Sequence, residues 1–182
     1  MSAFQPVLAN LRLGEVVLAT SRFDTMTAWY RQLLDIEPSL EHATDAQAPQ
    51  GGPPRPTRMC FFRLHIEPPY QDVVAIFEMP GTRAAPSGDP GLHHMQLRCA
   101  SLSDLGERYR RLHALGVVPY RSMDHGPSTS LYYRDPDQNA VEVAASNFAT
   151  VEQFQACLAS DEFKRNPAGI GIDPQALPVR RS

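Results

Sequence analysis

His94 and Glu142 are the residues whose types and surroundings best suit a divalent metal. His94, Gln96 and Arg98 interleave with Met95, Leu97 and Cys99, so on a strand the first three share one face. Glu142 lies in a similar run, with Ala140 and Ala144 on its face and Val141 and Val143 on the other. An imidazole and a carboxylate meeting between small residues leave room for a metal ion and one further ligand. A hydrogen-bonded core histidine beside an edge glutamate would give the same pattern. The residues alone leave both readings open.

The elements that must position this pair form a repeat. After the His94 run, Leu105, Tyr109 and Leu112 mark a helix over about 103–115, and Gly116 is its expected stop. Three short β-like runs follow: Val117–Arg121, Ser130–Arg134 and Ala140–Ala144. Earlier in the chain, Leu13–Thr20 alternates, with Glu15, Val17 and Ala19 on one face. Met26, Trp29, Tyr30, Leu33 and Leu34 then form a helical stripe, for which Asp24 is the expected N-cap. Residues 43–57 read as a loop, and Arg58–Leu64 and Asp72–Met79 read as strands. Glu15 and His94 share a 79-residue offset with Tyr30-Arg-Gln-Leu33 and Tyr109-Arg-Arg-Leu112. The closing runs Ala75-Ile-Phe-Glu78 and Asn139-Ala-Val-Glu142 match at an offset of 64, which places Glu78 opposite Glu142.

The fold expected is therefore α+β: two βαβββ modules forming a curved mixed sheet around one cavity, plus a C-terminal helix and arm. The boundaries are an N-terminal arm over 1–12, a first module over 13–79 and a linker over 80–91. The second module covers 92–146, and the C-terminal helix and arm cover 147–182. Thr150 followed by Gln153 marks the start of that last helix. A net charge of −3 and scattered basic residues give no nucleic-acid or membrane surface. Three cysteines without a CxxC spacing exclude a zinc knuckle and a closed disulfide framework. No signal segment or bilayer-length apolar run is present, so a cytoplasmic location is expected. His42, His65, His93 and His113 read as non-ligands, Cys99 as packing, and Gly51-Gly-Pro-Pro54 as no phosphate loop.

The stretch His125-Gly-Pro-Ser-Thr-Ser-Leu-Tyr132-Tyr-Arg-Asp135-Pro136-Asp-Gln-Asn-Ala-Val-Glu142 resembles the signature of type I extradiol ring-cleaving dioxygenases, within the vicinal oxygen chelate superfamily. Leu13-Gly14, Trp29-Tyr30, Gly91-Leu-His-His94, Asn147-Phe148 and Asn166-Pro167 extend the likeness over nearly the whole chain. The resemblance implies a non-haem metal, Fe²⁺ first and Mn²⁺, Ni²⁺, Co²⁺ or Zn²⁺ as substitutes, held by His94 and Glu142. It implies that His125 is an acid/base or oxygen-intermediate partner, and that Tyr132 hydrogen-bonds a substrate oxygen. It further implies a catechol-like or polyphenolic substrate and a homodimer.

The sequence departs from that pattern in the first module. Glu15 stands where a third ligand, a His, is expected, and Glu78 matches a carboxylate ligand of the related glyoxalase I. Glu15 is thus a candidate third ligand and Glu78 a possible fourth ligand or base. A Glu-His-Glu set around Fe²⁺ has no formal charge, where His-His-Glu leaves one positive charge. Gln138 replaces a turn Gly at a position that often needs positive φ. The leading expectation is an extradiol-type dioxygenase. The alternatives are a lyase, isomerase or epimerase using Glu15 or Glu78 as base without O₂, and a non-catalytic aromatic- or drug-binding protein.

Overall fold

A computed structural model of the chain describes residues 12–43, 55–68, 70–83 and 91–179. It divides into two compact units, 1–83 and 84–182. The expected N-terminal arm, most of the 43–57 loop and most of the linker lie outside the described residues.

The first unit contains β1 (Glu15–Thr20), α1 (Phe23–Leu34), β2 (Leu40–Ala43), β3 (Arg58–Glu67) and β4 (Tyr70–Glu78). The second begins with β5 (Met95–Arg98), α2 (Leu102–Ala114), β6 (Arg121–Asp124), β7 (Ser128–Arg134) and β8 (Ala140–Ser146). It continues through α3 (Val151–Ala159), α4 (Asp161–Arg165), β9 (Ile170–Gly171) and a 3-10 turn at Pro174–Ala176. The architecture is α+β, with two βαβββ modules as expected. The strands pair as two mixed sheets, β1-β4-β3-β2 and β5-β8-β7-β6-β9, rather than as one continuous sheet. In each sheet the first strand lies parallel to the last strand of its module, and the other pairs are antiparallel.

One face of each sheet is buried under a helix. In the first unit Leu18, Cys60, Phe62, Val74 and Ile76 pack with Phe23, Met26, Tyr30 and Leu33 of α1. The Tyr30 and Phe62 rings lie 6.5 Å apart, and Trp29 meets Tyr30 edge-on at 4.9 Å. In the second unit Met95, Leu131, Tyr133, Val141 and Val143 pack with Leu105, Tyr109 and Leu112 of α2. Burial pushes the phenol of Tyr133 well above its ordinary range, so it stays neutral among these side chains. Leu105 is fully buried. Leu105→Ala should cost about 2–5 kcal/mol by chemical denaturation, because the rigid surroundings close only part of the cavity. A loss below about 1 kcal/mol would contradict this packing account.

Several local expectations change. Asp24 is not the N-cap of α1; Arg22 is, without a side-chain cap bond. Asp24 sits in the first turn and pairs with Arg58 at 2.7 Å, and that guanidinium holds its carboxyl below the usual range. β2, which contains His42, is an edge strand held by pairing with β3. β3 runs past the expected end at Leu64 to Glu67, so His65 lies in it. β6 begins where the run Val117–Arg121 was expected to end.

Other local signals hold. Gly116 follows the end of α2 with φ 79°, while the cap at its start is Ser101, one not read from the sequence. Thr150 caps α3 by accepting from the Gln153 amide. Gln138 has φ 70°, the left-handed conformation its place in the turn requires; this costs a side-chain-bearing residue about 1–2 kcal/mol. No helix among the described residues is long and apolar enough to cross a membrane.

Candidate active site

The site is built on the face of the second sheet that α2 does not cover. Strand register sets one row across it: Gln96 on β5, Glu142 on β8, Tyr132 on β7 and Arg121 on β6. His94 precedes β5 by one residue and shares this face by alternation. Ala140 and Ala144 flank Glu142 on its own strand and leave space above the carboxylate.

Glu142 is 3% exposed and divides its two oxygens between neighbours. Oε1 accepts from Gln96 Nε2 at 2.8 Å, and Oε2 lies 2.8 Å from His94 Nε2. Gln96 is itself held, because Arg98 Nε donates to its Oε1 at 3.0 Å. Nδ1 of His94 lies 2.7 Å from Nδ1 of His93. His94 and Glu142 are thus brought together, each with a partner on its remaining donor or acceptor atom. Such partners orient the ligands of metal sites. His94 Nε2 and Glu142 Oε2 are a nitrogen and an oxygen donor 2.8 Å apart, atom types suited to a divalent cation. No third His, Cys, Asp or Glu among the described residues completes a metal-sized cluster with them.

His125 and Tyr132 are also brought together. Nε2 of His125 lies 2.9 Å from the Tyr132 hydroxyl, with the rings edge-on. Tyr132 further meets the His94 ring edge-on at 6.1 Å, the Tyr120 ring at 6.3 Å and the Arg121 guanidinium at 5.4 Å from its centroid. Burial, and next the negative charge of Glu142, push the Tyr132 phenol above its ordinary range. It is therefore a proton donor at neutral pH.

The first unit carries the other two candidates on opposite faces of its sheet. Glu15 is exposed and pairs with Val73. It lines a cavity of about 380 Å³ with Arg12, Phe61, Arg63 and Gln71. Glu78 pairs with Thr20 and Arg58, whose parity is that of the α1 side. Its Oε2 accepts from the Thr57 hydroxyl at 2.7 Å. The register also corrects the repeat: Val17 pairs with Ala75 as Gln96 pairs with Glu142. Ala75, not Glu78, is the counterpart of Glu142. The match at offset 64 slides the strand by three residues, and an odd slip exchanges its faces.

Two participants carried no role in the sequence. Gln96 was visible by parity, but its bond to Glu142 depends on strand register. His93, read as a non-ligand, places its Nδ1 against Nδ1 of His94. Cys99 fits its packing role, with burial raising its thiol.

The Glyoxalase/Bleomycin resistance protein/Dioxygenase superfamily model matches residues 12–143. Biphenyl-2,3-diol 1,2-dioxygenase 2 of Rhodococcus globerulus is 34% identical over 173 residues, covering 93% of this chain and 81% of that protein. Biphenyl-2,3-diol 1,2-dioxygenase 3 of the same organism is 33% identical over 169 residues, covering 91% and 80%. Among solved structures, a glyoxylase/bleomycin resistance protein/dioxygenase domain from Frankia sp. EAN1pec superposes with a TM-score of 0.57 at 19% identity, over 76% of this chain and 100% of that one. A fosfomycin resistance protein from Listeria monocytogenes, solved with Mn(II) and 1S,2S-dihydroxypropylphosphonic acid, gives a TM-score of 0.53 at 17% identity, over 81% and 96%. These structures share the fold, and the two dioxygenases share sequence over most of both chains. The chain belongs to the glyoxalase/bleomycin resistance protein/dioxygenase superfamily.

Proposed function

We propose that this protein is a non-haem, metal-dependent dioxygenase that opens the ring of a catechol-like aromatic by extradiol cleavage. The observation that carries the reading is the second sheet's open face, where His94 and Glu142 pair at 2.8 Å and Tyr132 stands in the same strand row with His125 on its hydroxyl. The relatives named as biphenyl-2,3-diol dioxygenases support the substrate class.

His94 and Glu142 would hold the metal, Fe²⁺ by preference. Glu15 lies in the first unit, and among the described residues no third donor is assigned to the pair. When bound, a divalent metal supplies Lewis acidity toward the two vicinal oxygens of a catechol and a binding point for O₂. The protein's own groups do the rest. Gln96 keeps one oxygen of Glu142 engaged, so the other is left for ligation. Tyr132 offers a protonated phenol to a substrate oxygen. His125 is placed to take and return a proton at Nε2.

Protein prepared without oxygen and loaded with Fe²⁺ should consume O₂ in equal amount with biphenyl-2,3-diol and yield the ring-opened product. No uptake across a broad catechol panel would sink the reading.

A further inference from the structure

His125 is held at both ring nitrogens by partners of unlike character. Nδ1 lies 2.9 Å from the backbone carbonyl oxygen of Ala168, and Nε2 lies 2.9 Å from the Tyr132 hydroxyl. A peptide carbonyl accepts and never donates, so Nδ1 must carry a proton. In the neutral ring Nε2 then has a lone pair, and the Tyr132 hydroxyl donates to it.

We propose that the C-terminal arm sets the tautomer of His125: Ala168 is a positioning residue whose carbonyl keeps the proton of the neutral ring on Nδ1. Proton uptake and return at His125 then occur at Nε2 alone, on the Tyr132 side. The proposal rests on the acid–base role given to His125 above.

The arm is built to hold that carbonyl in place. β9 pairs with β6 through Met123 with Gly171 and Asp124 with Ile170, and the Ile172 amide donates to the Ser122 carbonyl at 3.1 Å. His125 directly follows β6, so this pairing sets its register against Ala168. A turn closes just before β9: the Gly169 amide donates to the Asn166 carbonyl at 3.1 Å, and Asn166 Nδ2 donates to the Gly169 carbonyl at 2.9 Å. Gly169 has φ 79°. A Cβ there would lie 2.1 Å from the Asp124 carbonyl oxygen and 2.7 Å from His125 Cα. Both are backbone atoms, so any side chain at 169 must push the arm away from His125.

The loop of His125 has a separate anchor. Asn147 Nδ2 donates to Asp124 Oδ1 and to the Gly126 carbonyl, both at 2.8 Å. Moving the arm should therefore withdraw the Ala168 carbonyl and leave the His125 turn intact. This predicts a selective change in one imidazole.

The test is a long-range proton–nitrogen correlation spectrum of the full-length, metal-free, ¹⁵N-labelled protein, at a pH where imidazoles are neutral. His125→Gln assigns the signal by its disappearance. The wild type should show His125 with a protonated Nδ1 and an unprotonated Nε2. Gly169→Ala should convert this to a mixture of tautomers. In the Fe²⁺-loaded form it should lower kcat about 10- to 100-fold, the usual effect of losing an orienting partner, with KM nearly unchanged. Asn166→Ala, a milder change in the same turn, should shift both readouts in the same direction and decides the matter if Gly169→Ala does not fold. A wild-type His125 protonated at Nε2 overturns the proposal, and so does a variant that loses rate while its tautomer stays fixed. Absence of O₂ uptake in every form counts against the dioxygenase reading, while the spectra still decide what the arm does.

Discussion

Replacing Glu142 with glutamine should lower Fe²⁺ affinity by at least about 100-fold, since even the outer partners of a metal site are worth 10- to 100-fold. The carboxylate is nearly buried, and its two oxygens are committed to Gln96 and His94 at 2.8 Å. Glutamine keeps the size and much of the hydrogen bonding but removes the charge. Glu142→Ala removes both, and its neighbours Ala140 and Ala144 show that this face of β8 accommodates small side chains. If charge and ligation are what matter, both variants lose the metal to a similar degree and both lose O₂ uptake. If Glu142 merely tied strands together, only the alanine variant would suffer, and by melting rather than by metal loss. Direct metal titration of each variant, with circular dichroism of the apoproteins, separates these cases. Unchanged affinity in Glu142→Gln would refute the assignment of this residue as a ligand.

Tyr132→Phe carries the second large expectation: kcat falls about 10²- to 10³-fold, as when one donor to a developing oxyanion is removed. The ring would remain between His94, Tyr120 and Arg121, so folding and metal affinity should stay near wild type. What is lost is the hydroxyl, with its contacts to His125 and Glu142. Because burial and the Glu142 charge raise the phenol from its ordinary 10.0, it stays protonated to higher pH than a free tyrosine. Any alkaline limb of the rate profile that belongs to Tyr132 should therefore lie above pH 10 and vanish in the variant. A variant with wild-type kcat would remove Tyr132 from the machinery.

The sequence carried the modules and the second unit's site because those rest on local signals. Alternation placed His94, Gln96 and Glu142 on open faces, and Thr150 followed by Gln153 marked the cap of α3. What it could not carry was register. Ala75-Ile-Phe-Glu78 looks like Asn139-Ala-Val-Glu142, yet pairing of Val17 with Ala75 shows the match is displaced. Short edge strands were equally opaque. Leu40–Ala43 and Ile170–Gly171 are strands only because β3 and β6 pair with them. The partner of His125 could not be foreseen at all: Ala168 contributes a backbone carbonyl, which every residue has. Asp24 shows a milder error, where a residue with good capping chemistry found a cation instead.

The parallel pairing of β5 with β8 has a consequence for how the site comes into being. His94 stands at the front of the module and Glu142 on its final strand, with α2, β6 and β7 made between them. As the chain emerges from the ribosome, β5 has no partner in its sheet until β8 arrives. Parallel neighbours of this kind are slow to form, since the loop between them must be closed before any bond repays it. If the proposed metal site holds, competence to bind an ion is among the last properties the module acquires, and an ion that captures both side chains would favour the completed state over partly folded ones. The metal supply during synthesis would then influence how much protein reaches the native form, as well as how active it is.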